Sequence, residues 1–96
     1  MSKELLELEN FLLLAEAMLG AAQAQEWESL GQFGEQRRLL SDQFSPVLAA
    51  RLPRSEQARG RAIIERCLQL DETIRSLVDE RQTALRILLR EPAPVI

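Results

Sequence analysis

Histidine and tyrosine are absent from this sequence. Their absence removes the commonest general base, the commonest metal ligand and any Ser–His or Cys–His nucleophilic pair. A single cysteine, Cys67, excludes an intramolecular disulfide and fits a reducing compartment. Aromatic residues are few: Phe11, Trp27, Phe33 and Phe44. A core of Leu, Ile and Ala with few rings suits helix packing better than a β-sandwich. No Asn-Gly or Asp-Gly turn and no sustained period-2 alternation marks a strand.

Other absences narrow the function. Basic residues are not concentrated: 12 Lys and Arg stand against 15 Asp and Glu, for a net charge of −3. Phosphate neutralisation needs a concentrated basic surface, so no nucleic-acid partner is expected. The densest basic stretch, Arg51 to Arg61, reads as a solvated hinge and helix start. The start, Met1-Ser2-Lys3-Glu4, has an acid where a secretory signal carries positive charge. The longest strongly apolar run, Phe11 to Ala15, is far too short to span a bilayer, so no membrane insertion is expected. A cytoplasmic protein is the reading. Gly31 and Gly34 lack the strand, lysine and spacing of a phosphate-cradling loop. Glu4, Glu7, Asp79 and Glu80 read as solvated helix faces, and no carboxylate set converges on a metal. Cys67 reads as a small buried hydrophobe. No catalytic residue, metal site or cofactor is expected, and the chain does not read as an enzyme.

What is present is helical spacing over a single 96-residue domain. The first block spans about residues 2–24, with Ser2 as N-cap and Glu4 and Glu7 at the positive end of the helix dipole. Leu5, Leu8, Leu12, Ala15, Leu19 and Ala22 form one seam; Phe11, Leu14 and Met18 form a second beside it. So wide an apolar face predicts two neighbours. Gly20 inside it predicts the close approach of another helix. A very short connection leads into a second block over about 26–48, with Trp27 locking the corner. Leu30, Phe33, Leu40, Phe44 and Leu48 supply its apolar side, and Pro46 ends or kinks it. A short connection makes antiparallel neighbours. After a break at Leu52-Pro53, the third block covers about 55–90. Ile63, Cys67, Leu70, Ile74, Leu77, Arg81, Ala84 and Leu88 repeat at 4-3-4-3-4-3-4, a heptad seam. Pro92 and Pro94 leave a short tail, 91–96.

The expected fold is therefore all-α: an antiparallel three-helix bundle with one long, heptad-patterned C-terminal helix. That helix is roughly 50 Å long at 1.5 Å per residue, and the first two are much shorter. They cannot cover its whole length, so apolar surface on it should stay open to another chain. This mismatch points to protein binding. The expected groove lies between the third and second helices. Leu70, Ile74, Leu77, Val78 and Leu85 form its floor, and Phe33 and Leu40 a wall. Arg81, the odd charge in the seam, either snorkels at a bundle edge or pairs with an acid on a partner.

The stretch Met18 to Leu30, with Ala22-Gln23, Glu26-Trp27, Glu28 and Leu30, resembles the flagellar protein family FliT. So does Leu70-Asp71-Glu72 through Leu77, Asp79, Arg81, Leu85 and Leu88-Leu89. The resemblance implies a cytoplasmic chaperone of flagellar type III export, holding the C-terminal segment of the filament cap protein. It also implies contact with the export ATPase or export gate. Members of that family often carry a fourth helix that regulates partner access. The tail 91–96 fits no such helix, so neither autoinhibition nor a transcriptional role is carried over. The alternatives are a homodimer paired through the third-helix seam, a regulator that sequesters a transcription factor, and a chaperone for a different secreted subunit.

Overall fold

The computed structural model describes residues 2–41 and 51–90. Among them are three α-helices and no strand: α1 (Lys3–Gln23), α2 (Trp27–Ser41) and α3 (Gln57–Arg90), the last entered through a 3-10 turn at Arg54–Glu56. The fold is an all-α bundle. The expected extension of the second helix to 48, with Phe44, Pro46 and Leu48, and the tail 91–96 lie outside the described residues.

Side-chain partners fix the directions. The start of α1 lies beside the start of α3, where Arg59 donates to Glu9 at 2.8 Å. The start of α2 lies beside the upper part of α3, where the Arg81 guanidinium sits 4.9 Å from the Trp27 ring centre. Further along α2, Arg37 pairs with Asp71. Successive helices are thus antiparallel, α1 and α3 run parallel, and α1 packs against both of the others.

Local chemistry explains the helix ends. The Ser2 hydroxyl accepts the Leu5 N–H at 3.1 Å, as an N-cap should. The same hydroxyl donates to Glu56 at 2.5 Å, and the Ser2 N–H reaches both oxygens of that carboxylate at 3.1 and 3.2 Å. The first turn of α1 is therefore tied to the entry of α3. At the other end, the Glu26 N–H bonds to the Ala21 carbonyl at 2.8 Å and the Gln25 N–H to the Ala22 carbonyl at 3.1 Å. This is the paired closure of a Schellman cap, and Gln25 takes the left-handed conformation with φ 60°. Glutamine there costs about 1 kcal/mol more than glycine. In return the chain reverses within three residues and α2 folds straight back on α1.

The core joins Leu5, Leu8, Leu12 and Ala15 of α1 to Ile63, Cys67 and Leu70 of α3. Leu52, from the break before the 3-10 turn, fills its lower end. No residue of α2 is fully buried. The close approach expected at Gly20 is not there: nothing stands within 4 Å of where its Cβ would be. Met18, Ala21 and Ala22 are the buried residues at that level, and Gly20 faces outward. The tight contact is at Gly60 instead, where a Cβ would collide with the Leu52 side chain and meet Leu8 at 3.7 Å.

Candidate partner-binding surface

The α3 seam begins as core and ends in solvent. Ile63, Cys67, Leu70 and Ile74 are buried, Leu77 is half-buried, and Arg81, Ala84 and Leu88 are exposed. The cause is length. At 1.5 Å per residue α1 is about 32 Å long, α2 about 23 Å and α3 about 51 Å. The α1–α2 turn comes level with Leu77 to Ala84, and α3 continues past it. Beyond that level Leu85 is 39% exposed, Ile87 62%, Leu88 69% and Leu89 85%. The expected uncovered apolar stretch on the third helix is present, and it lies at the helix end.

Among the described residues, one groove opens next to this stretch and another lies further down α3. The first, about 320 Å³, is lined by Ala22, Trp27, Leu77, Glu80, Arg81 and Ala84 among others. Its middle is the stack of Arg81 on Trp27, a cation–π contact worth about 0.5–1 kcal/mol at an exposed site. Arg81 therefore bridges α3 to the first residue of α2, and Trp27 does more than lock the corner. The second groove, about 270 Å³, runs between α2 and α3 over Arg37, Asp71, Ile74, Arg75 and Val78. Arg37 holds it from one side, paired with Asp71 and lying 5.4 Å from the Phe11 ring centre.

The eight residues read as groove-forming divide among these places. Leu70 and Ile74 lie in the buried seam, Leu70 within the α1–α3 core. Leu77 and Arg81 share the first groove, and Val78 lines the second with Ile74. Leu85 stands one turn beyond, on the free end. Phe33 and Leu40 are half-buried on α2 and line neither groove. Sequence reasoning missed Arg37. Its signal was available, because Leu30, Phe33, Arg37 and Leu40 follow a 3-4-3 spacing that marks the half-buried face of α2. Its neighbour Arg38 points outward and pairs locally with Glu35 at 2.6 Å.

Cys67 is a free thiol buried in the α1–α3 core. Burial, followed by the nearby Asp71 charge, pushes the Cys67 thiol above its ordinary pKa, so it stays protonated at neutral pH. Among the described residues, no group of three or more His, Cys, Asp or Glu side chains is placed to hold a metal ion. No helix there is long and apolar enough to cross a membrane. The arrangement can bind an apolar, helical partner along a ridge, with charged groups at fixed points beside it.

Comparison with known families adds one finding. The family model described as flagellar protein FliT matches residues 5–91, a span that takes in α2, α3 and all but the first two residues of α1. Comparisons with curated proteins and with solved structures gave no match. A family match over most of the chain, on the three-helix scaffold just described, shows that this chain belongs to the FliT family of flagellar export chaperones.

Proposed function

We propose that this chain is a cytoplasmic export chaperone that holds the C-terminal segment of the flagellar filament cap protein and keeps it soluble until export. The observation that carries the reading is the free end of α3, where Leu85, Ile87, Leu88 and Leu89 are exposed and no helix among the described residues covers them. A monomer gains nothing from exposing that stripe. A chaperone uses it to shield an aggregation-prone client helix, which lays anchors at i, i+3, i+4 and i+7 along the ridge.

In this reading Leu77, Val78, Arg81 and Leu85 make the first contacts, and Leu88 extends them. Phe33 and Leu40, which line neither groove, would meet only a client long enough to extend down α2. Leu70 and Ile74 hold α3 on α1 from beneath. Delivery to the export ATPase or export gate follows from the same role. The work is binding and release, with no covalent step.

Co-purification with the cap protein, with and without its C-terminal segment, tests this. Capture should depend on that segment and fall at least tenfold in Leu88→Asp, a change at an exposed position that leaves the fold intact. Leu77→Asp should do the same, with circular dichroism confirming that the helices persist. A folded protein that captures no cap protein at micromolar concentration defeats the reading and brings forward self-pairing or another secreted client.

A further inference from the structure

The exposed apolar end of α3 is rich in arginine. Residues 81–90 contain three arginines and no acid, within a chain whose net charge is −3, and the acids before them are Asp79 and Glu80, the latter beside Arg81 in the first groove. The exposed leucines of α1, Leu6 and Leu13, stand instead among Glu4, Glu7, Glu9 and Glu16. The apolar areas on α1 and at the end of α3 therefore differ in the charge around them.

Arg81, Leu85, Leu88 and Leu89 lie along one ridge of α3, continuing Leu77 and Val78. Arg81 is in line with the leucines, and Arg86 borders them on the side of Leu89. Among the described residues no carboxylate pairs with either arginine. The Arg81 guanidinium carbon lies 4.9 Å from the Trp27 ring centre, which anchors the side chain beside the ridge. A guanidinium is a planar donor suited to a carboxylate, which accepts two parallel N–H bonds.

The geometry points to an acidic amphipathic helix as the occupant of this ridge. Its leucine-type anchors would pack on Leu85, Leu88 and Leu89, and its Asp or Glu side chains would flank them to meet Arg81 and Arg86. A lipid surface fits less well. A helix that lies on a membrane keeps its cations on the face opposite its apolar residues, and here Arg81 stands within the apolar ridge. This deepens the chaperone reading by stating the chemistry of the client, and it rests on that reading only in taking the free end of α3 as the docking surface.

Two synthetic helical peptides with identical leucine heptads, one flanked by Glu and one by Lys, make the test. Binding to the whole chain is followed by calorimetry and by the fluorescence of Trp27, its only tryptophan. The Glu peptide should bind at least tenfold more tightly, and the gap should close at high salt. Arg86→Glu, at an exposed position that leaves the fold alone, should shrink or reverse the preference. Equal affinity for the two peptides overturns the inference. So does binding of phosphatidylglycerol vesicles in place of either peptide, and so does sedimentation showing self-pairing that Leu13→Asp abolishes. Cap-segment capture unaffected by Arg86→Glu also overturns it while leaving the chaperone reading intact. Preference for the Glu peptide in a chain that captures no cap protein supports it and removes only that client.

Discussion

The two halves of α3 have the same apolar spacing and opposite surroundings. Ile63, Cys67, Leu70 and Ile74 follow a 4-3-4 pattern and are buried; Leu77, Arg81, Ala84 and Leu88 repeat that pattern and pass progressively into solvent. Nothing in the local spacing distinguishes them. The difference comes from the neighbours: α1, Leu52 and the Ser2–Glu56 contact enclose the lower half, and both shorter helices stop level with the upper half. Periodicity defines a seam, but partner length decides how much of the seam becomes core. Fully burying a leucine contributes about 1.5–3 kcal/mol. In the lower half that energy stabilises the fold. In the upper half that energy is not gained among the described residues, and the proposed function assigns it to a client.

The largest test sets one half against the other. Leu70→Ala, at a side chain only 2% exposed, should cost about 2–5 kcal/mol in urea denaturation. Leu88→Ala, at 69% exposed, should stay within about 0.5 kcal/mol of the parent. Similar costs at both positions would mean that the upper half is already packed in solution, against a second copy or otherwise, and the comparison would collapse.

A smaller test uses two helical glycines. Gly60→Ala should destabilise by about 1–3 kcal/mol, because its Cβ collides with the Leu52 side chain, which is only 3% exposed and must repack. Gly20→Ala should stabilise by about 0.5–1 kcal/mol, because the added methyl meets nothing and the helix gains propensity. The opposite signs separate the closed base of the molecule from its open outer face. Thermal melts read both, and a loss at Gly20 would show that something packs on the outside of α1.

The architecture is legible in the sequence because helical phase is a strong signal. Leu5, Leu8, Leu12 and Ala15 form the α1 contribution to the core, Ser2 is the cap, and the overhang of α3 follows from comparing helix lengths. What is hard to read is contact with no period of its own. Leu52 sits in a Pro- and Arg-containing break, where one leucine has no partner in sequence to mark it as core. Gly60 depends on Leu52, so its role is equally hidden. Gly20 is misread because a helix with a wide apolar face leaves the phase of its small residues ambiguous. Among the groove residues, the seam identifies α3, but spacing alone does not separate Leu70 and Ile74, beneath α1, from Leu85 at the free end.

The smallest effect concerns the hydrogen-bonded tie between Ser2 and Glu56 at the closed base. The Ser2 hydroxyl, donating to Glu56, holds that carboxyl below its ordinary value; partial desolvation opposes the shift and the Ser2 N–H reinforces it. A carboxylate whose pKa is lower in the folded state stabilises the fold above its unfolded value, and the contribution disappears as pH falls through the folded value. Stability should therefore decline across the acidic range beneath the usual carboxylate pKa. Glu56→Gln should be slightly less stable at neutral pH and show a shallower decline on acidification, read as urea midpoints between pH 7 and pH 3. The difference will be small, because Glu56 lies at the surface, where water and salt screen its charge. Parallel curves for the two proteins would show that Glu56 adds nothing to the base of α3, leaving Leu52, the apolar seam and the Arg59–Glu9 pair to hold it. The contrast between the halves would then rest on packing and that one pair.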